Sequence, residues 1–145
     1  MRKNLFATLL VALSMCMSAC AKDQVITVNQ LPAEAKTFIQ TYFASDSVSF
    51  VMQEREGLTT EYEVRFVSGD KVEFDGKGAL KKVDCGQRAV PVALLPEAVR
   101  TYVSIQFPNA FITEWGKDDR RWKAELNNGL ELEFNSKYDF VRIDD

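Results

Sequence analysis

The sequence contains no histidine, and this absence excludes several chemistries. Ser-His-Asp and Cys-His catalysis are impossible, and the commonest zinc ligand is missing. Cysteine is scarce as well: Cys16 lies in the apolar run near the N-terminus and Cys20 at the expected cleavage site, so Cys85 is the only unambiguous thiol of the folded part. No disulfide framework is therefore expected. Because Cys85 has neither a histidine base nor a second cysteine, an inert buried thiol is favoured over a functional one.

Phosphate loops and calcium loops are also missing. The stretch at 75–78 is typical of a hairpin turn, and neither Asp118-Asp119 nor Asp144-Asp145 has the spacing of a calcium-binding loop. Glutamates that alternate with apolar residues indicate a solvated strand face more than a pair of catalytic carboxylates. We therefore expect no catalytic residue, no metal site and no cofactor, and we expect that the protein is not an enzyme.

The N-terminus predicts export. Arg2 and Lys3 precede an apolar run, residues 5–17, that is short for a membrane span, so residues 1–19 are interpreted as a signal peptide. Cleavage after Ala21 would release a soluble protein, whereas cleavage before Cys20, within a sequence similar to a lipobox, would make Cys20 a lipidated first residue. The expected location is the periplasm or outer envelope, with membrane contact only through such an anchor.

The charge balance argues against nucleic acid as a partner. Without residues 1–19 the chain has 16 basic and 21 acidic residues, a net charge of −5, and the charges alternate in sign along the chain. Phosphate backbones are bound chiefly by clustered Lys and Arg. The expected partner is an envelope protein or a small ligand.

The chain matches itself. LPAEAKTFI at 31–39 aligns without a gap to LPEAVRTYV at 95–103, and SGDKVEFD at 68–75 aligns to NGLELEFN at 128–135 with an offset four residues smaller. A change in offset of this kind is typical of a hairpin that differs in length. The predicted organisation is a linker at 20–30, a first repeat at 31–84, a linker at 85–94 and a second repeat at 95–145.

Each repeat is predicted to begin with a helix and to continue as strands. Apolar residues after Pro32 and Pro96 recur at helical spacing, and Pro108 ends the second helix. The later segments alternate with period two, with Tyr62 and Trp122 on inward faces. Turns that separate these segments are predicted at 68–69, 75–78, 116–119 and 127–129. The fold class is thus α+β: two tandem repeats, each an N-terminal helix on a roughly four-stranded antiparallel sheet, forming together a wider sheet with its helices on one face.

The helix opening Leu-Pro-x-x-x-(Lys/Arg)-x-(Phe/Tyr), the aromatic ends at Phe43 and Phe107 and the short strands resemble the PepSY-like periplasmic domain family. Duplicated members are similar in fold to the β-lactamase inhibitor protein. The resemblance covers both repeats and implies a periplasmic, non-enzymatic protein. It implies an inhibitor or ligand binder that uses its exposed sheet surface, and some members carry a calcium-regulated label. It carries over no site residue.

The predicted partner-binding face follows from alternation. Its outward charged residues are Glu61, Glu63, Arg65, Arg121, Lys123 and Glu125. Trp115 and Tyr138 are further candidates, as anchors if exposed or as caps of the core if buried. A small-molecule or calcium-responsive sensor is the alternative function.

Overall fold

A computed structural model describes residues 23–144. The predicted signal peptide and Cys20 lie outside these residues. None of the helices formed by residues 23–144 is long and apolar enough to cross a bilayer.

The described chain contains two α-helices and nine β-strands in one antiparallel sheet. The helices are α1 (Ala33–Tyr42) and α2 (Glu97–Gln106). The strands are β1 (Gln24–Ile26), β2 (Val48–Glu56), β3 (Thr59–Phe66), β4 (Lys71–Asp75), β5 (Leu80–Asp84), β6 (Ile112–Asp118), β7 (Arg121–Leu126), β8 (Glu131–Phe134) and β9 (Phe140–Asp144). Strand order follows chain order from β1 to β9. The α+β class is confirmed as a single open sheet with two helices.

Both helices begin directly after a proline. Proline suits this position because the N–H groups at the start of a helix have no partner within the helix, so the missing N–H costs nothing. Phe38 of α1 packs edge-on against Phe74 of β4, with ring centroids 5.4 Å apart. Tyr102 of α2 packs in the same way against Phe134 of β8, at 5.9 Å. Residues directly opposite one another across strands share a face, and successive pairs from β4 to β8 place both aromatic rings on the same face. The helices therefore lie together on one side of the sheet, as predicted.

The inward side chains predicted by alternation form the core. Val64, Val72 and Val83 are fully buried on successive strands, as are Ala124 and Leu132 further along. Other buried apolar residues come from α1, α2 and their flanking turns, including Leu31, Ile39, Val99 and Val103. One continuous apolar layer thus lies between the helices and the sheet.

The two hairpins that follow the helices differ in length. β2 and β3 have nine and eight residues, whereas β6 and β7 have seven and six. Each strand of the first hairpin is longer by two residues, which accounts for the four-residue change in offset. Both hairpins carry a register shift at the same place, between Val48 and Phe50 and between Ile112 and Glu114.

The two predicted linkers contain short elements of secondary structure, and one predicted turn needs correction. The segment at 20–30 contains β1 and a short 3-10 helix, Val28–Gln30. The segment at 85–94 ends in a second 3-10 helix, Val92–Leu94. The turn expected at 116–119 lies later, since β6 continues through Gly116 to Asp118 and Asp119 adopts a positive φ of 47° in the turn.

Candidate interaction surface on the open sheet face

The face of the sheet opposite the helices, here called the open face, carries the charged residues of the strands. Two rows of side chains cross it at right angles to the strands. The central row contains Val25, Met52, Glu63, Glu73, Lys82, Gly116, Lys123, Glu133 and Arg142. The neighbouring row begins with Phe50, Arg65 and Lys71, and it continues as the acidic row of Asp84, Glu114, Glu125, Glu131 and Asp144.

The six predicted charged residues all lie on this face, in two groups. One group is on β3, with Glu63 and Arg65 in an ion pair of 2.7 Å between Nε and Oε1. The other group is on β7, around Lys123. Neighbouring strands are about 4.8 Å apart, so four strand spacings separate β3 from β7 by about 19 Å. The residues therefore belong to one broad surface rather than to one compact site.

The two predicted aromatic residues do not lie on the open face. Trp115 is 1% exposed and lies on the helix side, where its ring stacks on Trp122 with centroids 5.0 Å apart and planes within 7°. Tyr138 is half-buried and packs on Trp122 at 5.8 Å. Trp115 cannot contact a partner, because its pairing with Val83 of β5 turns its ring toward the core.

A charge cluster on β7, β8 and β9 surrounds Glu133, a residue that alternation alone does not distinguish from the other outward glutamates. The Glu133 side chain is 5% exposed even though it is on the open face. Arg142 covers it with two hydrogen bonds, Nε to Oε2 at 2.9 Å and Nη2 to Oε1 at 3.1 Å, and Arg121 Nε lies 3.4 Å from Oε2. The hydrogen bonds from Arg142 lower the pKa of Glu133 below its usual value.

Lys123 is the second centre of this cluster. Its Nζ lies 2.6 Å from Glu131 Oε1 and 3.3 Å from Asp144 Oδ2. The hydrogen bond to Glu131 is the main reason that the pKa of Lys123 is raised, and the bond from Lys123 in turn lowers the pKa of Asp144. Lys123 and Asp144 therefore keep their charges across the neutral pH range.

The acidic row places five carboxylates on five successive strands. Carboxylates that lie directly opposite one another repel, so the row costs stability unless cations offset it. Lys82 offsets Glu114, with Nζ 2.7 Å from Oε1. Burial nevertheless raises the pKa of Glu114, against the opposing effect of Lys82. Glu125 is exposed between Glu114 and Glu131, and no ion pair to it occurs within residues 23–144.

The open face also has an apolar end and a shallow depression. At the β1 end, Val25 is 64% exposed beside Met52, and Phe50 is 37% exposed. A depression of about 310 Å³ lies where β5 meets β6, with Gly116, Lys82 and Lys123 among its lining residues. A partner would therefore meet an apolar end, a neutralised middle and an acidic row.

No group of three His, Cys, Asp or Glu side chains suited to a metal ion occurs within residues 23–144. Cys85 lies in the core at 4% exposure. Burial, with Asp70 as a further cause, raises the pKa of the Cys85 thiol to about 12. Arg88 holds Asp70 in an ion pair at this junction. The thiol is thus protonated and enclosed.

The fold and the open face define a class: an α+β protein with a single antiparallel sheet, helices on one face and a charged surface on the other. Residues 60–142 match the family described as "Putative beta-lactamase-inhibitor-like, PepSY-like". The chain belongs to this family, which confirms the resemblance drawn from the sequence.

Solved structures of similar proteins come from Bacteroides. A "putative periplasmic protein" of the DUF2874 family from Bacteroides vulgatus is 38% identical, with a TM-score of 0.80 over 85% of this chain and 97% of that chain. A "putative calcium-regulated periplasmic protein" from Bacteroides thetaiotaomicron is 37% identical, with a TM-score of 0.81 over 85% of this chain and 97% of that one. A third, a "putative periplasmic protein of unknown function" from Bacteroides vulgatus, is 28% identical, with a TM-score of 0.81 over 86% of this chain and all of that one. Comparison with curated proteins gave no match.

Proposed function

We propose that this protein is a periplasmic, non-enzymatic binding module, similar to an inhibitor, whose open sheet face docks on the surface of another protein. The observation that carries the proposal is the difference between the two faces of the sheet. The helices cover one face, while the other presents ordered rows of charge and an apolar end. The description of the family as inhibitor-like and of the relatives as periplasmic supports it.

The partner fits a stated chemistry. The acidic row, and Glu125 above all, favours a partner surface with Lys or Arg side chains spaced along a line. Val25 and Phe50 favour an apolar group at the β1 end of the same footprint. Charge complementarity of this kind acts mainly on the rate of association and on specificity.

The proposal includes a tandem arrangement and an envelope location. Residues 31–84 and 95–144 each form a helix followed by four strands, with the same register shifts, which supports two copies of one unit. Two units side by side double the width of the docking face. Attachment of Cys20 to lipid would hold this face near a membrane surface, and cleavage after Ala21 would release it.

The test is capture of a periplasmic protein by the immobilised chain, with the open face varied. Glu125→Lys reverses an exposed charge that forms no ion pair within residues 23–144, so folding is spared while binding falls. Gln106→Lys is the matched control, because it adds a lysine on the exposed surface of α2. A partner captured equally by both variants, or retained after Arg65 and Arg121 are neutralised, contradicts docking through this face.

A calcium-responsive role is the second candidate, and the name of the Bacteroides thetaiotaomicron relative is the observation that favours it. Melting temperature with calcium, with magnesium and with chelator separates the two. A calcium-specific increase supports the sensor, whereas equal melting temperatures leave docking as the function.

A further inference from the structure

The sheet ends in an edge strand on each side, β1 and β9. A junction between two strands inside the sheet indicates how two such edges could pair. This junction joins β5 to β6, with Lys82, Val83 and Asp84 opposite Gly116, Trp115 and Glu114. Val83 and Trp115 are both buried there. The junction thus joins the last strand of the first half to the first hairpin of the second.

The end formed by β9 has the geometry of β5. Arg142, Ile143 and Asp144 pair with β8 in the register that Lys82, Val83 and Asp84 have on β4, after the same register shift. In β5, the N–H and C=O of Val83 point toward β6. The next hydrogen bond of that ladder indicates this direction, because Cys85 N–H donates to Thr113 O at 2.9 Å. Ile143 therefore directs its N–H and C=O away from β8, and its side chain is 41% exposed where Val83 is fully buried.

The other end has the geometry of β6. Phe50, Val51 and Met52 pair with β3 as Glu114, Trp115 and Gly116 pair with β7. β1 pairs with β2 in the same position in which β5 pairs with β6. Ile26 lies opposite Val51, just as Val83 lies opposite Trp115. Within β1 only Ile26 is buried.

We propose that β1 is an intramolecular cap, and that its displacement lets a second copy of this chain add its β9 to the uncovered β2. This head-to-tail contact repeats the β5–β6 junction, with Ile143 opposite Val51, Arg142 opposite Met52 and Asp144 opposite Phe50. No like charges meet in this register. A second copy is the occupant because the two ends already match the two sides of a junction that the chain forms within itself. The inference concerns the strand edges and does not depend on what the open face binds.

A head-to-tail contact uses a different edge on each copy, so uncapped chains can add further copies beyond a dimer, as rings or as open filaments. Within residues 23–144 the β9 edge is unpaired and β1 covers the β2 edge, so we expect the wild-type chain to be monomeric. An edge blocked by short length or by charge is a common protection against such growth. Here the protection is one short strand held by one buried side chain.

The experiment compares variants of residues 22–145 by sedimentation velocity over a concentration series. Ile26→Asp removes the anchor of β1 and is expected to give oligomers larger than a dimer. The double variant Ile26→Asp with Ile143→Pro is expected to be monomeric, because proline lacks the outward N–H. Val25→Asp is the matched control: it places the same charge on β1 at an exposed position and leaves Ile26 in place.

Mixing supplies a second readout. The wild-type chain can add its β9 to an uncapped β2, but its own β2 is covered by β1. It therefore ends the growth of an oligomer. Added wild type is expected to shorten Ile26→Asp oligomers, whereas added wild type carrying Ile143→Lys is expected to leave them unchanged.

Two results overturn the proposal: a folded Ile26→Asp chain that stays monomeric at every concentration, or oligomers that persist in the double variant Ile26→Asp with Ile143→Pro. Circular dichroism checks that each variant folds. If Ile26→Asp does not fold, Ile26→Ala carries the same test without a buried charge.

Discussion

Gly116 lies directly opposite Lys82 where β5 meets β6, and the stem of Lys82 fills the space into which a side chain at 116 would point. A Cβ at this position would lie 3.0 Å from Lys81 O and 3.1 Å from Lys82 Cγ. Lys82 crosses over this glycine to reach Glu114. The glycine is therefore what permits close contact between the two halves of the sheet.

Gly116→Ala is expected to lower the free energy of unfolding by about 1–3 kcal/mol, the usual cost of overpacking. Urea titration measures it. In a Lys82→Ala background the contact with Lys82 Cγ is gone, while those with Lys81 O and with the Cβ of residue 82 remain, so the cost of Gly116→Ala is expected to shrink but not to vanish. Strict additivity of the two substitutions would contradict the contact.

The turn between β4 and β5 supplies a second test. Gly78 has a φ of +93°, and a Cβ there would lie 2.8 Å from Pro32 Cβ and 2.9 Å from Ala35 N. Gly129 has a φ of +83° but open space around it. Gly129→Ala is expected to cost about 1–2 kcal/mol for the left-handed backbone alone. Gly78→Ala is expected to cost clearly more, because the turn must also move off α1; equal costs in urea titration would contradict this contact.

Cys85 predicts a loss of stability at alkaline pH. The folded thiol has a pKa of about 12, and the thiol of the unfolded chain ionises near its ordinary value of about 8.5. Above the unfolded pKa the unfolded chain binds fewer protons, so the free energy of unfolding falls, by up to about 1.4 kcal/mol per pH unit, until the folded pKa is reached.

The measurement is urea titration from pH 7 to pH 11, with Cys85→Ala as the control. The variant loses this part of the pH dependence and keeps the part due to other groups. Wild type should also react with a thiol reagent only as fast as it unfolds. Rapid labelling of the folded chain, or identical pH dependence in both proteins, would count against a buried thiol.

Glu133 and Arg142 predict the behaviour in acid. The pKa of Glu133 is lowered in the folded chain, so its contribution is present above the unfolded pKa and is lost as pH falls through the folded pKa. Arg142→Ala removes the two hydrogen bonds from an enclosed carboxylate and should lower the melting temperature near pH 7 more than near pH 3. Adding Glu133→Gln should recover part of the loss at neutral pH. A loss independent of pH would indicate packing rather than charge.

The strands with a clear period-two pattern and the helices with apolar residues at helical spacing were predictable from the sequence. The elements without a clear hydrophobic period were not. Tyr62, Val64 and Phe66 alternate cleanly with charges, and their inward faces followed from the sequence. β1 has three residues, too few to display a period. Gly116 was interpreted as a turn residue because glycine is common in turns, although it lies within β6 to make room for Lys82.

The open face was predictable as a set of outward side chains and not as a pattern of charge. Alternation places Lys123 and Glu125 outward, but it does not give the register that lines up Glu114, Glu125 and Glu131. Arg142 does not stand out in the sequence, because its role depends on its position over Glu133 in the folded sheet. Burial of Trp115 follows from its pairing with Val83, which is fixed only when the halves meet.

The strand order that follows chain order bears on how the molecule is made. Each strand pairs with the strand that precedes it in the chain, so the sheet can grow in the direction of synthesis without waiting for the C-terminus. Pairing between segments close in sequence keeps the entropy cost of loop closure modest. A chain that is delivered segment by segment can therefore fold as it arrives.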